Sequence, residues 1–281
     1  MHRLLRLIII AVLMSVLVPV AVVRAEDASP AAEVTEAIAT PIPVGVREKE
    51  LLQLYQAQVE KYRETERKYK ISKAAYFKLN TLQSLEELVV DARTAMELRA
   101  QVLITYLELL HEILEQTQGV ELARKIDTLQ NLEKQVVALR EHIVKVQATT
   151  DRPGIALRAD EFEPLGWRIQ KVSISTQGFV VIGRLQSVYD RAQSTYGDIR
   201  TYHAEATVSA LRQSERERAY TEVTAQSDQV NTQLTKVRAA FDEEVQKDIP
   251  DTRDVTNQLN SVYATTSQLL AFLKELVLKL T

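Results

Sequence analysis

LQSLEELVVDARTAMELRAQVLITYLELLHEIL, residues 82–114, decides the fold class. Leu82, Leu85, Val89, Ala92, Met96, Arg99, Leu103, Tyr106, Leu110 and Ile113 recur at gaps of three and four, the spacing of one helix face. Neither glycine nor proline occurs between residues 46 and 118, which leaves helix as the only sensible reading of that stretch. Val102, Ile104, Leu107, Leu109 and Leu114 lie off the main face. A helix that is apolar on several sides belongs in the middle of a bundle. Asn80-Thr81 ahead of it and Ser84-x-x-Glu87 inside it are N-cap signals, which predict a break near residue 80.

Helical spacing continues toward the C-terminus. A third helix over 121–148 repeats Leu122, Ile126, Leu129, Leu132, Val136, Leu139, Ile143 and Val146, with one irregular step in the heptad phase. Asp151-Arg152-Pro153-Gly154 reads as a turn, and Asp160-x-x-Glu163 followed by Pro164 reads as the first turn of a fourth helix. Gly166, Gly178 and Gly183 predict a locally weakened or kinked helix. FVVI at 179–182 has strand composition but no partner strand, so it is assigned to helix. RQSERERAYTEVTAQSDQ, 212–229, reads as a solvated helical stretch or a hairpin end. After a break at Asp248-Ile249-Pro250-Asp251, the last helix carries Val255, Leu259, Val262, Thr266, Leu269, Leu273, Leu276 and Leu280 in nearly unbroken heptad register. Its seam is too short and too charged for a bilayer span and suits a coiled-coil partner.

The expected fold is all-α: an elongated helical bundle or coiled coil of about six helices. Three lie in 47–149 and three in 160–281. Tyr189, Tyr196 and His203, spaced by seven, echo a tyrosine row in the first half and make a duplicated three-helix unit conceivable.

Residues 1–25, with Arg3 and Arg6 ahead of the apolar run Leu7–Val23 and Val23-Arg24-Ala25 as a small-residue site, read as a cleaved signal peptide or an uncleaved membrane anchor. Either version predicts export to the periplasm, the cell surface or the medium. Residues 26–46 are Ala/Pro/Thr-rich and read as a disordered tether. Losing Arg3, Arg6 and Arg24 takes the net charge from −3 to −6, which offers no global attraction for nucleic acid. The absence of cysteine excludes disulfides and thiol chemistry.

Tyr55, Tyr62, Tyr69 and Tyr76 form a ladder at every seventh position. Successive rungs are roughly 10.5 Å apart along a helix, beyond the roughly 4.5–7 Å of stacked rings, so the ladder reads as a packing seam facing another helix. The helix bearing Tyr189 and Tyr196 is one candidate for that neighbour. Lys61, Arg63, Lys68 and Lys70 flank the ladder on both sides. This strip at 61–73 is the candidate site for an anionic envelope polymer or a membrane surface.

Glu108-x-x-His111 has the spacing that di-iron carboxylate bundles use, but no second Glu-x-x-His occurs to complete such a site. His111-Glu112-x-x-Glu115 has glutamate where a zinc-protease helix needs its second histidine. Glu108 also belongs to a polar row with Gln101, Thr105, Glu112 and Glu115, read as water-facing. No phosphate-binding glycine loop, Gly-x-Ser-x-Gly or Ser-x-x-Lys is present. No cofactor is expected. The expected function is non-enzymatic: a structural or protein-interaction module of the cell envelope or surface, working through heptad seams with a partner or with itself.

Overall fold

The computed structural model describes residues 45–205, 210–247 and 250–280, so the expected signal segment and residues 26–44 of the expected tether lie outside it. Among the described residues every regular element is an α-helix. They are α1 (Val46–Leu79), α2 (Leu82–Gln116), α3 (Leu122–Gln147), α4 (Arg152–Glu205), α5 (Ala210–Gln246) and α6 (Arg253–Leu280). Val46, expected at the end of the tether, is the first residue of α1.

Local chemistry sets each break. Asn80 adopts the left-handed conformation (φ 48°, ψ 39°) that asparagine tolerates better than most residues, and its N–H donates to the Tyr76 carbonyl. Thr81 then caps α2 reciprocally with Ser84: each backbone N–H donates to the other's hydroxyl, at 3.1 and 3.2 Å. The cap therefore lies one turn earlier than Ser84-x-x-Glu87 implies. At the far end of α2, Lys125 Nζ donates to the carbonyls of Glu115 (2.6 Å) and Thr117 (3.0 Å). Gly119 turns the chain at φ +77°.

α4 begins at Arg152, earlier than the expected start at Asp160. Asp151 is its N-cap, with the carboxylate accepting from the Gly154 N–H at 2.9 Å. Pro153 sits in the first turn, where a backbone N–H has no helical partner to lose. Pro164 then lies inside this 54-residue helix, which continues through it.

α1 packs on α2, α2 on α3 and α4, α3 on α4, and α4 on both α5 and α6, which also pack together. One core joins Ala100, Leu107 and Leu110 of α2 with Leu132, Val136 and Leu139 of α3 and Leu165, Ile169 and Val172 of α4. A second joins Ile182, Ala192 and Ile199 of α4 with α5 (Val230, Leu234, Val237, Phe241) and the α6 seam. The apolar run at 179–182 is thus helical, with Val180 and Ile182 buried.

Gly178 and Gly183 of α4 serve close approach. A Cβ on Gly178 would sit 2.0 Å from the Phe241 ring, and one on Gly183 would sit 2.9 Å from the Gln118 carbonyl oxygen. Gly119 completes that second contact, since its own Cβ would meet the Gly183 carbonyl at 2.3 Å. Gly197 has open space around it. In α3 the irregular step swings the early residues outward: Leu122 and Ile126 are exposed, whereas Leu132, Val136, Leu139 and Val146 are buried.

Candidate functional site

The tyrosine ladder faces α2, and only its last rung, Tyr76, also meets α4, the helix bearing Tyr189 and Tyr196. Tyr55 is buried with its ring 5.7 Å from that of Tyr106. Gln177 of α4 donates to the Tyr106 hydroxyl at 2.5 Å. Burial, with Tyr55 alongside, pushes the Tyr106 phenol up to about 12. Tyr62 and Tyr69 are half-buried on the same face. Tyr76 receives Arg152 from the start of α4, the guanidinium 5.4 Å from the ring centre and donating to its hydroxyl at 3.3 Å. Tyr189 and Tyr196 instead meet α5, through Ser227 and Thr224.

The ladder leads to a buried polar layer. Arg99 of α2 lies over Phe162 of α4, its guanidinium carbon 3.6 Å from the ring centre. The Phe162 ring is 5.3 Å from that of His142 on α3, a buried histidine. Burial pulls the Arg99 guanidinium down, opposed by Tyr62 and Glu66 of α1. Burial, then the Arg99 charge, holds His142 below its ordinary value. All four helices of this half meet here. The signal was already in the sequence: Arg99 is a charged residue at a seam position.

The other half repeats the combination with different neighbours. His203 Nδ1 lies 2.8 Å from the Tyr220 hydroxyl, and buried Arg216 donates to the His203 carbonyl at 3.2 Å. Burial, then Arg216, holds His203 low. Arg200 lies beside the Tyr196 and Tyr220 rings, 5.9 and 5.7 Å from their centres. The stretch 212–229, expected as a solvated helical stretch or a hairpin end, lies near the start of α5; most of its described side chains are exposed, while Arg216, Val223 and Ser227 are buried.

Glu108 and His111 serve as links between helices. Arg140 of α3 donates to Glu108 at 2.9 Å, and His111 Nε2 lies 3.3 Å from Glu133 of α3. Glu112 of the same polar row faces Arg47 of α1 at 3.4 Å. The row is not uniformly wet, because Thr105 is buried. Among the described residues no group of three His, Asp or Glu side chains is placed to hold a metal ion.

The basic strip is exposed. Arg63 is paired with Glu60 at 2.5 Å and Lys70 with Glu66 at 3.3 Å, while Lys61 and Lys68 extend into solvent. Exposed pairs of this kind each contribute roughly 0–1 kcal/mol. In α6, Val262, Leu269, Leu273 and Leu276 are buried and Leu259 is partly buried, all packed within this chain against α4 and α5. The Leu280 side chain lies outside the described ones. Near the C-terminal end of α6 a recess of about 270 Å³ is rimmed by Glu215, Glu222 and Glu275 and floored by Val223 and Leu276. No helix among the described residues is long and apolar enough to cross a membrane.

No protein-family model, no curated protein and no solved structure matches the chain.

Proposed function

We propose that the chain is an exported, non-enzymatic interaction module of the cell envelope or surface. In this reading it is an elongated bundle of two packed ends that share α4, joined by coiled-coil-like seams, with the N-terminal segment as a tether. The observation that carries the proposal is the path of α4, which contributes to both cores without a break. Fifty-four helical residues extend about 80 Å, a length suited to holding two packed ends apart and offering long lateral faces to a partner. The side chains with chemical potential, Glu108, His111, Arg99 and His142, support this reading because each is engaged in contacts between helices.

The face for association lies on α3. Leu122, Ile126, Val137 and Val144 are exposed, and at 100° per residue they fall within about 60° of one another. Glu133 and Arg140 lie on the same stripe and are turned back onto His111 and Glu108 of α2. Replacing Val137 and Val144 by glutamate leaves the buried seam of α3 untouched. The expected result is loss of the associated species when mass is measured in solution and when partners are captured from native envelope fractions. A wild-type chain that stays monomeric and captures nothing would overturn the proposal.

Binding of an anionic polymer or lipid along Lys61, Arg63, Lys68 and Lys70 is the second reading. Lys61 and Lys68 favour it. The pairing of Arg63 and Lys70 with their own helix's glutamates weakens it.

A further inference from the structure

The α1–α2 turn places apolar side chains at the outermost point of the hairpin. Phe77, Leu79 and Leu82 are 66%, 60% and 72% exposed, and Ile71 one to two turns back is equally open. The adjoining lysines are Lys70, Lys73 and Lys78. Lys70 is shared with Glu66, and Lys73 lies 5.8 Å over the Tyr69 ring. Arg152, held on Tyr76, adds a further cation beside the turn. Of the nearby carboxylates, Glu87 accepts from Gln83 and Asp151 caps α4, while Glu86 is exposed on α2.

Backbone polarity normally forbids such a turn from leaving water, because unpaired N–H groups are costly in an apolar medium. Here the reciprocal Thr81–Ser84 cap and the Asn80-to-Tyr76 bond pair the N–H groups of Asn80, Thr81 and Ser84, which lessens that cost. With about 1.5 Å of rise per residue, Lys78, Lys73 and Lys70 lie roughly 3, 10 and 15 Å behind Asn80. Interfacial segments bury apolar side chains roughly 5–10 Å deep, which would set the flexible heads of Lys73 and Lys78 at the level of lipid phosphates.

From this arrangement we infer that the α1–α2 tip is a docking point for an anionic lipid surface, entered tip-first by Phe77, Leu79 and Leu82 and held by Lys73 and Lys78. This stands apart from the α3 association face and differs from a strip lying sideways along 61–73.

Trp167, the chain's single tryptophan, lies on α4 well away from the turn and serves as an internal control. The test uses the full chain carrying Phe77→Trp with Trp167→Phe, and the wild type beside it. Both are mixed with vesicles of acyl-brominated phosphatidylcholine, with or without an equimolar share of phosphatidylglycerol. The expected result is quenching at position 77 in the anionic vesicles alone, lost at roughly 0.5 M salt, with Trp167 of the wild type unquenched. Lys73→Gln/Lys78→Gln should weaken binding to the anionic vesicles by roughly fivefold per lysine at low salt. Phe77→Ser/Leu79→Ser/Leu82→Ser should lower the fraction bound to anionic vesicles, whereas Lys61→Gln/Lys68→Gln should not. No quenching at 77, equal quenching in neutral vesicles, or loss of binding only with Lys61→Gln/Lys68→Gln would overturn the inference. Because these side chains are exposed, far-UV dichroism of every variant should match the wild type.

Discussion

Gly178→Ala and Gly197→Ala are the same chemical change in the same helix, and the structure assigns them opposite signs. In a helix interior alanine is favoured over glycine by about 1 kcal/mol, because glycine loses more backbone freedom on folding. At Gly197 that gain is unopposed, since an added Cβ meets nothing within 4 Å. At Gly178 the new methyl would lie 2.0, 2.4 and 2.6 Å from three ring atoms of Phe241, which is 2% exposed and set edge-on to Phe179 at 5.4 Å. The ring must move by more than an ångström in a filled core, and overpacking of this kind costs about 1–3 kcal/mol. Gly197→Ala should therefore stabilise by about 0.5–1 kcal/mol, and Gly178→Ala should destabilise by about 1–2 kcal/mol. Urea titration followed by far-UV dichroism measures both. Phe241→Leu is costly alone, but in its background Gly178→Ala should lose most of its penalty, a coupling of about 1–2 kcal/mol. If Gly178→Ala proves as stabilising as Gly197→Ala, Phe241 does not rest on Gly178 and the docking of α5 on α4 described above is wrong.

Acidity should loosen both halves. His142 faces Arg99 on α2, Arg158 and Glu161 on α4, and Lys145 on its own helix; His203 faces Arg216. Both are held below the ordinary histidine value, so the unfolded chain takes up protons first as pH falls. The stability they contribute is whole above about pH 6.5 and declines below it, toward the lowered native values. Urea midpoints measured between about pH 7 and 5 should fall, and His142→Leu should flatten part of that slope; an unchanged slope would contradict the buried placement of His142. At Arg99, Lys is the harsher replacement and Met the milder. A lysine head is compact, strongly hydrated and lacks the planar guanidinium that lies over Phe162, so Arg99→Lys should cost about 2 kcal/mol, while Arg99→Met should stay within about 1 kcal/mol of wild type. Equal losses in the urea titration would show that the contact with Phe162 contributes nothing.

Helix content was legible because breakers are scarce and apolar periods long, and the seam of α6 was readable residue by residue. What escaped were positions where one motif serves two structures. Asp-Arg-Pro-Gly at 151–154 suits a turn, yet aspartate followed by proline in the first turn is equally a helix start. Ser84 is the second half of the α2 cap where it reads as the first half of another. Gly178 and Gly183 of α4 look like weaknesses in a one-dimensional reading. Their purpose depends on Phe241 and Gln118, 63 and 65 residues away, which no local pattern can supply. Arg216 sits in a charge-rich run whose average polarity hides its burial. The choice of α2 as the ladder's neighbour likewise follows from a two-residue turn, since so short a link returns the chain directly alongside α1.

Because α4 belongs to both cores, it also fixes their rotational phase. One residue inserted between Val172 and Val180 would turn everything beyond it by about 100° and shift it by about 1.5 Å. Gly183 would then no longer meet Gly119, and Arg124 of α3 would lose Asp242 of α5. Insertions or deletions of seven or eleven residues return within about 20° of the starting phase. Length change in this helix should therefore be tolerated, if at all, in those steps, so that α4 constrains how the gene can lengthen as firmly as it constrains how the chain folds.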